Sequence, residues 1–387
     1  MADQIMLAKK LTGLLLNNAQ EFKNLSYMEW DVLLRSAIKH GIAALLYKRV
    51  KNLDNIPKDI LAALSKAYYT NLLRNFSYYQ ELSEIIKQLH ENEIEVIVLK
   101  GAYLAKTVYE SDALRFIGDM DLMVKSADLS KTQNLLLQLG YKQNLTDFKK
   151  QGAFNIDLHW NFHFTPDTPF KINPEMLWQA AQPCTIGNIK AQCLSPEDLL
   201  FHACSHAAYA NNFGSMRFLY DIQKTIAYYE IDWNLLFKRA SEWKAEKVVY
   251  LALYIAKDCL AAEVPDKVLN EFKPKDFNLE LVTITKEIIS FNINYQLSSI
   301  NLATLWMINK PLREKLSIII NRTLLSPKSL AALYNLPTNS WRVYFYYPIR
   351  MKYLFVRYIG IIHGDKKMQE CNLKNNKITL ILNWMRN

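Results

Sequence analysis

The run Asp119-Met120-Asp121-Leu122-Met123-Val124 sets two carboxylates two residues apart in an otherwise apolar stretch. In a β-strand alternate side chains share a face. Asp119 and Asp121 are therefore expected to point one way, and Met120, Leu122 and Val124 the other. Two carboxylates on one face repel each other unless something positive sits between them. A divalent cation meets that need, and Mg²⁺ favours carboxylates combined with substrate phosphates. A third carboxylate on a neighbouring strand would complete a two-metal site for phosphoryl or nucleotidyl transfer. Asp157, in Asn155-Ile156-Asp157-Leu158-His159-Trp160, is the candidate. Alternation puts Ile156, Leu158 and Trp160 on one side and Asp157, His159 and Asn161 on the other. His159 is thus expected to share the acidic face, contacting substrate, orienting Asp157 or making a structural hydrogen bond.

The elements that must position these residues are legible in outline. Helices are predicted over 3–19 and 27–50, and Pro57 opens a long helix to about Glu91, proline being suited to a first helical turn. Glu93 to Leu99 is β-branched and reads as a strand. Lys100-Gly101 follows it, then a helix from Ala102 to about Tyr109. Glycine there lets backbone approach a phosphate, and the helix start offers free N–H groups. Arg115, four residues before the aspartate pair, could bind a triphosphate or support the aspartates. A helix over 127–139, stopped by Gly140, and strands near 141–147 and 154–162 complete a small α/β unit over about 94–195. Ser195-Pro196-Glu197-Asp198 starts the next helix.

These residues carry a family resemblance. Leu99-Lys100-Gly101, Arg115 to Val124 and Ile156-Asp157-Leu158-His159-Trp160 together resemble the bacterial nucleotidyltransferase family proteins of the DNA polymerase beta-like nucleotidyltransferase superfamily. Ala37 to Ile42, Leu199 to His206 and Arg217 to Ile222 extend the resemblance over about residues 25–270. It implies an α+β fold: a small mixed-sheet core at 94–195, flanked by an N-terminal helical region (1–93), a helical region packing on the core (196–265) and a basic, mainly helical C-terminal region (266–387). It implies Mg²⁺ or Mn²⁺ held by Asp119, Asp121 and Asp157. It also implies an NTP, ATP first, with its phosphates near Lys100, Gly101 and Arg115, and His159 beside them. Ala102 stands where the superfamily more often has serine, so Lys100 would replace the hydroxyl.

His202 and His206 stand four apart on a predicted helix, a metal-ligand spacing. Ala203 follows His202, so the HExxH signature is missing, and a structural role is the favoured reading. No structural zinc is expected. The cysteines at 184, 193, 204, 259 and 371 are scattered and read as reduced thiols of a cytoplasmic protein. No apolar run is long enough for a transmembrane helix, and the N-terminus lacks a secretory pattern.

The net charge of +10 is uneven: residues 301–387 carry 14 Lys/Arg against 3 Asp/Glu, and the rest is near neutral. Trp341 to Tyr358 interleaves eight aromatics with Arg342, Arg350, Lys352 and Arg357. That pattern suits an acidic acceptor, single-stranded nucleic acid or a membrane surface, or else a packed helix with solvated basic side chains. The expected function is metal-dependent transfer from an NTP to a hydroxyl of a small molecule or modified peptide. The alternatives are a nucleic-acid-binding or tailing protein and an inactive nucleotide-binding module. Replacing Arg350, Lys352 and Arg357 together by Gln should raise the acceptor's KM with little change in NTP binding, and added salt should mimic it. Wild-type, salt-independent kinetics would mark these residues as a solvated face.

Overall fold

The computed structural model describes residue 22 and residues 24–144, 146–162, 171–291, 341–348, 350–351 and 377–386. The helix expected over 3–19, Cys371, Lys352 and Arg357 lie outside the described residues. The chain divides into two compact units, Met1–Asn294 with Trp384–Asn387, and Tyr295–Asn383. In the second, the described residues include a 3₁₀ turn over Trp341–Phe345.

In the first unit, α1 (Tyr27–Lys39) starts at a capping box: Ser26 accepts from the Glu29 N–H, and the Glu29 carboxylate accepts from the Ser26 N–H at 2.9 Å. After α2 (Ala43–Val50), α3 runs the 34 residues Lys58–Glu91, preceded by Pro57. β1 shrinks to Ile97–Val98, and α4 begins at once at Lys100 and ends at Thr107. β2 is Met120–Met123, α5 Leu129–Gln138, β3 Lys142–Asn144, β4 Asp147–Lys149 and β5 Ile156–His159. A short α6 (Pro174–Ala180) leads to a hairpin of β6 (Gln182–Ile186) and β7 (Ile189–Cys193). The remaining helices are α7 (Pro196–Ser205), α8 (Met216–Tyr228), α9 (Trp233–Glu242), α10 (Glu246–Leu260), α11 (Asp266–Glu271) and α12 (Leu279–Phe291).

The seven strands form one mixed sheet, ordered β3-β4-β5-β2-β1-β7-β6. β2 pairs parallel with β5 and antiparallel with β1, while β1 pairs parallel with β7. This is the mixed-sheet core with helical flanks expected from sequence, with three more strands than the sequence pattern marks. The single strand expected near 141–147 is a hairpin, β3 and β4; β6 carries a proline and no alternation, and the alternation of Ile189-Lys190-Ala191-Gln192-Cys193 in β7 is a strand signal that sequence reasoning missed. Ile97, Val98, Met120, Leu122, Ile156 and Leu158 fill the core. α7, α8 and α10 pack on one another, and α7 reaches α4. Among the described residues, no helix is long and apolar enough to cross a membrane.

His40 ties α1 to α8. Its carbonyl accepts from the Ser215 hydroxyl at 2.8 Å, and its Nδ1 accepts from the Met216 N–H at 3.2 Å. Burial drives the imidazole down to about 4. An unfolded histidine titrates near 6.5, so the unfolded chain takes up this proton first. Stability is therefore present above about pH 6.5 and lost as pH falls toward 4, by about 2 kcal/mol at pH 5 from this group. His40→Asn keeps an acceptor near Nδ1 but does not titrate. Urea denaturation at pH 7 and pH 5 should show a flatter pH dependence for the variant, and an unchanged slope would exclude His40 as a source of acid lability.

Candidate active site

The site is assembled from the inside of the long helix outward. Asn71, Arg74, Asn75 and Tyr78 lie on one face of α3, three to four residues apart. Asn71 donates to the Ala113 carbonyl at 3.2 Å, and Asn75 to the Arg115 carbonyl at 2.8 Å. Arg74 donates to the carbonyls of Ile117 and Gly118, and the Tyr78 hydroxyl to that of Asp119 at 3.1 Å. The segment leading into β2 is irregular, so its carbonyls find no ladder partners, and α3 supplies donors instead. Arg74 also lies over the rings of Phe116 and Phe154, 4.6 and 4.7 Å from their centres.

Beyond that segment, strand register takes over. Asp121 on β2 stands opposite Asp157 on β5, and Asp157 stands opposite Asp147 on β4. Three carboxylate-bearing residues thus line up across three adjacent strands. His159, two residues beyond Asp157, places Nε2 at 3.0 Å from Asp121 Oδ1 and 3.1 Å from Asp157 Oδ2. From the other side, Lys100 Nζ contacts Asp121 Oδ1. Lys100 has φ +47°, in the left-handed region that a lysine enters only at a cost. The turn from β1 into α4 holds it there.

Each charge answers to its neighbours. Burial would raise the Asp121 carboxyl, but the Lys100 ammonium and the His159 hydrogen bond outweigh it and hold it well below the usual range. Asp157 is likewise held low by His159, against its own burial. Burial lowers the affinity of His159 and Lys100 for protons, yet contact with Asp121 brings both above their ordinary values. Asp147 is shifted up by burial and then by the Asp157 charge. Asp119 stands one residue before β2 and is more exposed than Asp121. Its carboxyl is raised by partial burial and then by the Asp121 charge.

The donor atoms of Asp121, Asp157 and His159 lie within 4.8 Å of one another. Two carboxylates and an imidazole suit a divalent metal, and the positive groups now between the carboxylates mark where positive charge is needed. Asp119 is not among the atoms that meet this closely.

Arg115 has other partners. It is buried and bidentate to Asp221 on α8, Nε–Oδ1 2.8 Å and Nη2–Oδ2 2.7 Å, and the Tyr109 hydroxyl donates to the same carboxylate at 2.7 Å. Gly101 lies directly against this guanidinium. Its visible use is thus to admit Arg115. His202 is buried and His206 half-buried, and desolvation, then the Lys100 charge, keeps both imidazoles well below their ordinary value. His202 stacks on Phe162 at 4.4 Å, and His206 meets Phe218 edge-on at 4.9 Å. His206 opens a π-helical turn over His206–Ala210. The two histidines belong to none of the metal-ligand groups of three among the described residues.

Sequence reasoning missed Asp147 and the α3 donors. Asp147-Phe148-Lys149 does alternate, but three residues after a turn are a weak strand signal. The α3 residues recur at helical spacing, and their polarity reads as a solvated face until the β2 entry segment is laid against it.

Residues 26–261 match the family model described as "Uncharacterised nucleotidyltransferase", and the chain belongs to that family. The family makes it a transferase enzyme. The solution structure of the antibiotic-resistance factor ANT(2'')-Ia is similar at 10% identity and a TM-score of 0.31, over 40% of this chain and 84% of that one. None of the curated proteins matches the chain.

Gly101→Ala tests the close approach. A Cβ there would collide with Arg115 Nη1 and lie 3.2 Å from its Cζ. Because this guanidinium is buried and paired, it cannot swing aside without breaking the bond to Asp221. The variant should lose about 1–3 kcal/mol in denaturant unfolding. Wild-type stability would show that Arg115 moves freely.

Proposed function

We propose that the chain transfers a nucleotidyl group from an NTP, ATP foremost, to a hydroxyl of a small molecule or modified peptide, using Mg²⁺ or Mn²⁺. The observation that carries this reading is the register that brings Asp121 and Asp157 together, with His159 Nε2 bridging them. In a family defined by nucleotidyl transfer, that is the arrangement the chemistry requires.

Asp119, Asp121 and Asp157 would hold the cation. When bound, it supplies Lewis-acid stabilisation of charge on the transferring phosphoryl group and makes the acceptor hydroxyl more acidic. Lys100, released from Asp121 on its flexible stem, balances phosphate charge beside Gly101 and the start of α4. His159 orients Asp157. The hydroxyl oxygen attacks the α-phosphorus, its proton passes to the Asp157 carboxylate, the bond to the β-phosphate oxygen breaks, and pyrophosphate leaves. Arg115 acts from behind, through Asp221, by fixing the start of α4 and the approach to β2. In this reading residues 94–195 carry the chemistry, and 1–93 and 196–265 support it.

Asp119→Asn is the informative variant, because it removes a carboxylate that burial and the Asp121 charge disfavour, while Lys100 is in contact with Asp121 instead. NTP turnover, followed as pyrophosphate release with each of the four NTPs and Mg²⁺ or Mn²⁺, should fall at least about 100-fold. The melting temperature without metal should stay level or rise slightly. Wild-type turnover would sink the assignment, and a variant that unfolds would mark a structural aspartate.

A further inference from the structure

A cleft of about 620 Å³ opens between the end of α1, the middle of α3 and the start of α8. We infer that it binds an anionic acceptor: a small molecule carrying one phosphate or carboxylate beside an apolar body. This rests on the reading of nucleotidyl transfer given above and names the class of acceptor.

Four observations converge. The first is charge: Lys39, Lys66 and Arg217 line the cleft, and no Asp or Glu is among the lining residues. With no carboxylate to hold a metal, it suits an anion that arrives without one. The NTP, by contrast, has its place at the carboxylate row.

The second is Arg217 itself. Its Nε is buried with no hydrogen-bond partner, and among the described residues no carboxylate lies within ion-pair distance of it. Burial, then the neighbouring Arg115 charge, lowers its pKa to about 10. Arg115 is neutralised by direct contact with Asp221, whereas Arg217 lies against the faces of Phe218 and Phe116, 4.7 and 6.0 Å away, and feels Asp221 and Asp119 only from a distance. A guanidinium whose Nε is buried and unpartnered at a cleft wall, with no carboxylate in ion-pair contact, is ordinarily matched by an anion. Gly41 is shaped to admit it: φ is +69°, and a Cβ there would stand 3.2 Å from Arg217 Nη1.

The third is the wall. Ala43, Ala44, Ala63 and Ala67 keep the floor open, and Phe116 offers an exposed aromatic face. The volume suits a small molecule more than a polymer. The fourth is place. Phe116 lies three residues before Asp119 in the segment that α3 holds, and Asn71 both lines the cleft and donates to that segment. An acceptor seated here would be delivered beside the carboxylate row.

The test uses the full chain in EDTA, with phenyl phosphate and benzoate as probes and benzyl alcohol as the uncharged control. Calorimetric titration should show at least one anion binding, weakened by salt, and no binding of the alcohol. The anion that binds more tightly identifies the charged group. Arg217→Gln should weaken anion binding about 10-fold or more, and the exposed Lys66→Gln by a smaller factor. Both should leave the binding of Mg²⁺ with a non-hydrolysable ATP analogue unchanged. If Arg217→Gln fails to fold, Lys66→Gln decides by the same comparison. Two results overturn the proposal: neither anion binds, or the variants weaken the ATP analogue as much as the anions, which would make the cleft part of the nucleotide's phosphate site. Anion binding that survives Asp119→Asn while wild-type protein turns over no NTP would support the cleft and refute the transfer reaction, so the two failures are distinguishable.

Discussion

A carboxylate removed from water must be matched by positive charge, and the centre of this molecule is arranged around that requirement at Asp121. The residue is buried on a central strand, with Asp157 beside it in register. Left alone, the pair would have to take up a proton. Lys100 and His159 prevent this, and both reach the same Asp121 oxygen. Each is held by something outside its own side chain: Lys100 by a left-handed backbone at the turn into α4, His159 by its place two residues after Asp157 on β5. A site whose positive groups come from flexible or titratable side chains can exchange them for a bound cation, which a buried apolar strand pair cannot do.

The surroundings divide between rigidity and access. α3 satisfies the backbone of the segment entering β2, so Asp119 is presented by a loop that has the fixity of an element. The Arg115–Asp221–Tyr109 cluster ties the segment between α4 and β2 to α8 behind the site. Buried pairs of this kind add little net stability over an apolar replacement but are costly to break. That asymmetry makes them suited to fixing a geometry. Arg217, on the same helix as Asp221, is built in the opposite way: it lines a cleft and, among the described residues, makes no direct ion pair. Two arginines, one neutralised and one not, thus separate the structural back of the site from its binding side.

The sequence by itself determined the acidic face of the central strands and much of the core. Period-2 alternation around Asp121 and Asp157, a capped helix at Ser195 and the strand-to-helix passage at Lys100-Gly101 are local signals, set by backbone geometry and burial within a few residues. They suffice for a small α/β unit and a common face for Asp157 and His159; the mixed sheet with helical flanks came from the family resemblance. Tertiary structure decided everything that depends on which strands and helices become neighbours. Asp147 joins the row because β4 pairs with β5, a pairing made by a hairpin too short to leave a pattern. Arg115 turns to Asp221, 106 residues away, and that contact explains Gly101 as a close-packing residue. The polar face of α3 becomes a set of hydrogen-bond donors only when unsatisfied carbonyls are laid against it. Alternation reports which way a side chain points; what it meets there is set by long-range packing, where a buried charge or an unpaired carbonyl selects its partner from the whole fold.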